Sequence, residues 1–160
     1  MGELAEFSLV DRTFLRAYRW RVIDPVPWAP LAKRVSEARL ALVSSAGFVT
    51  PAQSAFDGSM RGGDPSFRTI PSDFPVADLI DTHRSDSFDH AGMLRDPNLA
   101  FPIDRVRELV ASRRIRSVAN EHISFMGSIT ATRRLVRDTA PEIARKLLAD
   151  QVDIALLVPV

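Results

Sequence analysis

The stretch 153-DIALLVPV-160 is the strongest indication of the fold class of this chain. An acidic residue followed by an unbroken apolar run is typical of a strand that is buried on both faces of a mostly parallel sheet. In an open α/β sheet, the loop after the carboxyl end of a strand holds ligands and catalytic groups. We therefore expect a functional site next to Val160, where this sequence stops.

Further apolar runs indicate the other strands of the sheet. The run 38-ARLALVSSAG-47 predicts a strand that feeds a turn of small residues. Pro71 makes 67-FRTIP-71 an edge strand, because proline cannot donate a ladder hydrogen bond. Two more strands are predicted, within 78-DLIDTH-83 and at the start of 115-IRSVANEHISFMGSI-129, where a loop follows.

Helical patterns alternate with these strands. One helix is predicted to begin at Pro102, the favoured first helical position, and a second to cover 130–151, with 139-TAPE-142 as a capping box that restarts it. Segments 48–66 and 84–101 are predicted to be loops. The alternation predicts an α/β fold, three-layer-like, with a mostly parallel sheet and flanking helices. We expect its C-terminal βα elements to be missing from these residues.

The chain divides into an N-terminal segment and one globular domain. Residues 11–22 predict a short helix capped by Asp11, and residues 24–31 contain three prolines, which force an extended path. Residues 1–30 are therefore expected to form a helix and a proline-rich arm. Residues 31–160 are expected to form the α/β domain.

Composition excludes several functional classes. The 160 residues have a net charge of +1, which is no basic excess of the kind that binds nucleic acid. The longest apolar runs are strand-sized and the N-terminus resembles no signal peptide, so we expect no membrane span and a cytoplasmic protein. There is no cysteine, which excludes disulfides, thiolate metal sites and cysteine nucleophiles within these residues.

Three histidines lie at or just beyond predicted strand ends: His83, His90 and His122. Imidazole exchanges protons near neutral pH, so histidines at the carboxyl edge of a sheet are candidates for acid–base catalysis. Each of them can also be read as a structural or solvent-facing residue. Because a nearby carboxylate raises the pKa of imidazole, Glu121 is predicted to help His122 act as a proton donor.

The small residues after the 38–43 run are candidates for substrate binding. Ser44, Ser45 and Gly47 would let backbone N–H groups approach a ligand closely, although a plain strand-to-loop turn explains the same residues. Ser124 follows His122 by two residues and is assigned to the same binding group. The pattern G-x-S-x-G is absent around Ser124, so a serine hydrolase is not expected.

The string 85-SDSFDH-90 is similar to the H-x-H-x-D-H metal motif of metallo-β-lactamases, but serine stands at both leading histidine positions. Only Asp89 and His90 remain as ligands, whereas a catalytic zinc normally has three protein ligands. We predict no metal site here. Asp89 and His90 can instead hydrogen-bond to each other and hold the turn.

Four stretches together resemble the selenoprotein B subunits of the glycine, betaine, sarcosine and D-proline reductases. They are 36-SEARLALVSSAGF-48, 64-DPSFRTIPSD-73, 88-FDHAGMLRDPNLAFPIDRVREL-109, and 122-HISFMG-127 with 138-DTAPEIARKLLADQVDIALLVPV-160. The resemblance covers nearly all of residues 27–160.

The resemblance implies an oxidoreductase subunit that cleaves a C–N bond of an amino acid or small amine by means of a selenolate. It implies a partner subunit whose pyruvoyl group captures the substrate, and a dithiol or thioredoxin-type electron donor. The family's redox residue, selenocysteine or cysteine, comes almost directly after the strand that here ends at Val160. His90 and His122, with Asp89, would then supply protons to the leaving amine.

This resemblance predicts that the reading frame continues through a UGA selenocysteine codon. The 160 residues then hold no cofactor of their own and are expected to be inactive alone. The alternative is a non-catalytic α/β module that binds a small ligand or assembles with a partner or a second copy along its exposed final strand.

Overall fold

The computed structural model describes residues 5, 7–18, 22–85 and 89–160. These fall into two compact units, Met1–Pro30 and Leu31–Val160. In the first unit, helix α1 (Leu9–Ala17) begins after Ser8, whose hydroxyl accepts a hydrogen bond from the Asp11 N–H. The cap is therefore Ser8 and not Asp11 as predicted. Residues 19–21 of the predicted helix lie outside the described residues.

The second unit contains a main sheet and a small second sheet. The main sheet consists of β1 (Arg39–Ser44), β3 (Phe67–Pro71), β5 (Ser117–Val118), β6 (Glu121–Phe125) and β7 (Ile154–Val158). β5 and β6 follow one another along one side of β1, and β7 lies along the other side, all parallel to it. β3 pairs antiparallel with β6. The predicted α/β fold with a mostly parallel sheet is confirmed.

The second sheet corrects one prediction. Strands β2 (Phe48–Val49) and β4 (Ile80–Asp81) form an antiparallel pair of their own. The segment 78–83 was expected in the main sheet. Its apolar residues are too few to distinguish a main-sheet strand from a two-residue partner of the turn that follows β1.

Three helices complete the second unit: α2 (His90–Arg95), α3 (Ile103–Ala111) and α4 (Ala140–Ala149). Short 3₁₀ turns cover Val35–Glu37, Val76–Asp78 and Pro97–Leu99. The prediction that the segment 84–101 is entirely loop is therefore wrong, because α2 and a 3₁₀ turn form within it. No helix in the described part of the chain is long and apolar enough to cross a membrane.

Helix α4 does not restart at the predicted capping box. A π-helical turn, Leu135–Thr139, runs directly into α4, and Thr139 has a helical backbone. The Thr139 hydroxyl donates to the Pro65 carbonyl at 2.6 Å and does not cap the helix. Pro141 has no N–H and its ring displaces the carbonyl four residues earlier, which explains the widened turn just before it.

The core lies on both faces of β1. One face packs Leu40 and Leu42 against α3 and Phe101, and the other packs Val43 against Ile123 and α4. β1 is therefore the strand that is buried on both faces. On α3, Ile103 and Val106 are buried, whereas Leu109 is 40% exposed and Val110 is only partly buried.

β7 forms as predicted but is not buried on both faces in the described residues. Its end residues are half-buried, while Leu156 is 40% and Leu157 is 68% exposed. An apolar run has the same sequence pattern in an edge strand and in a central strand. The difference lies in how many neighbours cover it, which the run itself does not encode.

Leucine-to-alanine substitutions on the two neighbouring strands test this difference. Leu42→Ala on β1 should lower the free energy of unfolding by about 2–5 kcal/mol, because a fully buried side chain is removed. Leu157→Ala on β7 should cost less than about 1 kcal/mol, because most of its side chain already meets solvent. Urea unfolding measures both. Equal losses would show that β7 is covered in solution.

Candidate functional site

The loop that follows β1, residues 45–47, is the centre of the candidate site; we call it the β1 loop. The Ser45 hydroxyl accepts a hydrogen bond from the Val160 N–H at 2.9 Å and lies 3.4 Å from the Val160 carbonyl, to which it donates. The Ser45 N–H donates to the Val158 carbonyl at 3.1 Å. Ser45 thus binds the backbone at the end of the final strand and just beyond it.

Gly127, in the loop after β6, allows a close approach to Ser45. The Gly127 N–H donates to the Ser45 carbonyl at 2.8 Å. A Cβ atom on Gly127 would lie 3.1 Å from three atoms of Ser45, so a side chain here would press on the serine that holds Val160. The end of β6 and the end of β7 therefore meet at the same residue of the β1 loop.

Gly47 connects the β1 loop to the histidines. Its φ of +68° lies in the left-handed region, and a Cβ atom here would lie 3.2 Å from the backbone N and Cα of His83. The Gly47 carbonyl accepts a hydrogen bond from the Thr82 hydroxyl at 2.6 Å. Glycine is needed here because the chain around His83 packs directly on the backbone of the β1 loop.

Asp81 joins His83 and His90 into one polar cluster. One Asp81 carboxylate oxygen accepts a hydrogen bond from the backbone N–H of His83 at 2.8 Å. The other oxygen contacts Nδ1 of the His90 ring. The two imidazole rings lie 6.3 Å apart, and His90 Nε2 lies 3.0 Å from the Ser85 carbonyl. Burial lowers the pKa of His83 even though the Asp81 charge opposes this shift.

Asp81 is the residue that sequence analysis missed. The carboxylate at His90 was expected to be Asp89, but Asp89 caps α2 and accepts the Gly92 N–H at 2.9 Å. Proximity in sequence favoured Asp89, whereas β4 brings Asp81 to the ring from nine residues away. The sequence did contain a signal for a contact between Asp81 and the histidines, since Asp81 precedes His83 by only two residues in an extended segment.

His122 lies in the interior of the sheet and not at its edge. Its ring is fully buried on β6, packs edge-to-face on Phe101, and accepts the Leu42 N–H at Nδ1 over 3.1 Å. Burial, followed by the positive charge of Arg107, lowers the pKa of His122 to about 4. His122 is therefore neutral at pH 7, with its proton on Nε2.

The predicted effect of Glu121 on His122 is wrong. Glu121 pairs with Lys146 at 2.9 Å, and this hydrogen bond lowers the pKa of Glu121. Successive residues of a strand point to opposite faces, so neighbours in sequence do not face each other on β6. The catalytic role assigned to His122 stays a prediction.

The remaining predicted binding residues lie in the interior. The Ser44 hydroxyl donates to the Ala100 carbonyl at 2.6 Å and accepts the Ala46 N–H at 3.1 Å. Ser124 is fully buried in register with Ser44. Among the described residues, no hydrogen-bond partner reaches the Ser124 hydroxyl. The structure therefore brings together Ser45, Gly47, His83 and His90, and it places Ser44, Ser124 and His122 inside the sheet.

An apolar groove lies beside Ser45 on the α4 face of the sheet. It encloses about 410 Å³ between α4, β1 and β7, and among the described residues that line it only Ser45 is polar. Its walls include Phe125, Ile143 and Leu157. Among the described residues, no group of three histidine or carboxylate side chains is arranged to hold a metal ion.

A mostly parallel sheet with polar side chains gathered at the end of its central strand defines an α/β protein, a class in which ligands bind at this edge of the sheet. The chain belongs to the glycine/sarcosine/betaine reductase selenoprotein B family, which it matches over residues 65–159, more than half of its length. The predicted resemblance is confirmed. No solved structure gives a significant match.

Two curated relatives agree with this family. The chain is 35% identical over 136 residues to the D-proline reductase subunit gamma of Acetoanaerobium sticklandii, covering 85% of this chain and 54% of the relative. It is 28% identical over 153 residues to the sarcosine reductase complex component B subunit beta of Peptoclostridium acidaminophilum, covering 94% of this chain and 34% of the relative. The chain spans about half and about a third of these two proteins.

Acidification tests the state of His122. The unfolded chain takes up a proton at the ordinary histidine pKa of 6.5, whereas folded His122 does so only at about 4, so stability falls as the pH drops through this window. The loss from pH 7 to 4 should be about 3 kcal/mol for this residue. His122→Asn keeps an acceptor for the Leu42 N–H but removes the titration.

The difference between the two proteins isolates His122, because every other group titrates alike in both. Urea unfolding at pH 7 and pH 4 should show the larger loss in the natural chain. The same loss in His122→Asn would mean that His122 does not remain neutral on folding.

Gly47→Ala tests the contact between the β1 loop and His83. The left-handed backbone alone should cost about 1–2 kcal/mol of stability, and the crowding against His83 adds to it. Gly58→Ala is the matched control, because its Cβ atom would meet only Arg84 Cβ at an ordinary 4.0 Å. Thermal unfolding should separate the two variants. An equally stable Gly47→Ala protein would contradict the tight packing described.

Proposed function

We propose that this chain is a subunit of a reductase that cleaves the C–N bond of an amino acid or small amine. In this reaction the C–N bond breaks, the carbon gains a hydrogen, and the amine leaves with a proton. Two electrons come from a dithiol, which is oxidised to a disulfide. Membership of the selenoprotein B family is the observation that carries this proposal.

The redox residue is proposed to follow Val160 in the complete protein, as selenocysteine or cysteine. Such a residue would supply a strongly nucleophilic selenolate or thiolate. The contacts of Ser45 support this position, because they fix the backbone of Val160 at the carboxyl end of the sheet. In the same loop, Gly47 packs against His83. A nucleophilic residue directly after Val160 would therefore lie near the histidine cluster.

Partner subunits belong to the proposal as well. Both relatives are named as parts of larger reductases, a subunit gamma and a component B subunit beta. We propose that a partner subunit carries a pyruvoyl group, which would capture the amine substrate, and that a dithiol protein of the thioredoxin type delivers the electrons. His90 would donate the proton to the leaving amine.

A non-catalytic binding module is the second candidate. The apolar groove beside Ser45 and the exposed side chains of β7 favour it, because both offer surface to a small apolar ligand or a partner strand. This reading predicts binding without turnover.

Affinity purification from the source cells separates the two candidates. The tagged protein should copurify with partner subunits, and the captured complex should release product from D-proline, sarcosine, glycine or betaine only when a dithiol is present. His90→Gln should lower this rate at least about 100-fold, the usual contribution of a positioned proton donor. Mass spectrometry should find a peptide in which Pro159 and Val160 are followed by a segment that contains selenocysteine or cysteine.

Two outcomes would contradict the reductase. The captured protein could show no dithiol-dependent turnover of any of the four substrates, or it could end at Val160 in the cell. Capture of a ligand or partner without turnover would then favour the binding module. Asp78→Asn, an exposed change outside the cluster, is the control for expression and capture.

A further inference from the structure

We infer that Asp81 and the Ser85 carbonyl hold His90 as a doubly protonated imidazolium, which makes Asp81 the positioning residue of a proton donor. The inference deepens the proposed function and rests on it for the identity of the proton acceptor. The protonation state itself is a property of this chain alone.

The contacts of the His90 ring carry the argument. Nδ1 faces a carboxylate oxygen of Asp81, and Nε2 lies 3.0 Å from the carbonyl oxygen of Ser85. Neither a carboxylate nor a carbonyl can donate a hydrogen bond. A neutral imidazole has one N–H and would leave one of these contacts as a repulsion between two acceptors. Only the cation donates to both.

The surrounding charges are consistent with a cation at this position. Among the described residues, Asp81 on β4 supplies a negative charge in direct contact with the ring. Asp89 precedes His90 and places a second carboxylate at the start of α2, where it offsets the positive end of that short helix. Burial lowers the pKa of His83, whose ring lies 6.3 Å away, and this favours the neutral form of the neighbouring ring.

Exposure assigns different tasks to the two histidines. The His90 side chain is 34% exposed, so a bound molecule can reach it, whereas His83 is buried. In C–N cleavage the Nε2 proton of His90 would pass to the leaving nitrogen as the C–N bond breaks. His90 would become a neutral imidazole that keeps its Nδ1 proton on Asp81. Because its unprotonated Nε2 would then face the Ser85 carbonyl, uptake of a proton from solvent would restore the cation. Asp81 thereby fixes which nitrogen gives up its proton.

Nitrogen-15 NMR of the histidine side chains tests the inference without any activity measurement. At pH 7 both ring nitrogens of His90 should be protonated, while Nδ1 of His122 should be unprotonated in the same spectrum. Asp81→Asn keeps the shape but removes the charge, and the proton affinity of His90 should fall about tenfold or more. Asp78→Asn removes the same charge from an exposed position three residues away and should leave His90 within about twofold.

A neutral His90 at pH 7 in the natural chain would overturn the inference, and so would an unchanged proton affinity in Asp81→Asn. If Asp81→Asn does not fold, the pH titration of the natural chain still decides, because the two states of His90 differ in its own spectrum. A cationic His90 in a protein without reductase activity would leave this assignment standing and would refute only the proposed function.

Discussion

The hydrogen bonds of the β1 backbone are the central constraint on this structure, because β1 is covered on both faces and paired along both edges. A buried N–H without a partner costs as much as a lost hydrogen bond, so every group along β1 must find an acceptor or donor. β7 satisfies one edge in an unbroken register from Leu40 to Ser44. The other edge is interrupted between β5 and β6. Leu40 pairs with Val118 and Val43 pairs with Ile123, so an advance of three residues on β1 corresponds to five residues on the neighbouring side.

A histidine side chain repairs that interruption. At the two-residue bulge, the Leu42 N–H donates to His122 Nδ1 where a strand carbonyl would otherwise accept it. This contact requires the neutral ring and places it in the interior, against Phe101. The bulge also sets the register of β6, so that the loop with Gly127 comes to rest on Ser45. A structural detail in the middle of the sheet is thus linked to the position of the loop that contacts Ser45.

The three histidines show how one side chain takes three roles in 160 residues. His122 is a neutral acceptor because burial and the positive charges of Arg107 and Arg39 outweigh the opposing charge of Asp150. His83 is buried against Gly47 and connects the β1 loop to the cluster. His90 is partly exposed with a carboxylate on one nitrogen and a carbonyl on the other. The local dielectric and the contacting atoms set these differences, since the residue type is the same in each case.

Local patterns were enough to predict the α/β class, the strands at 39–44, 67–71 and 154–158, the helix after Pro102 and the turn of small residues at Ser45 and Gly47. These follow from local patterns, because an apolar run, a proline or a glycine acts on its own segment. Four features could not be predicted in this way and follow from tertiary contacts: β4 leaves the main sheet, β7 stays partly exposed, His122 lies inside the sheet and Asp81 contacts His90. Each of these depends on which residues from distant segments come into contact, and a local pattern carries no record of that partner.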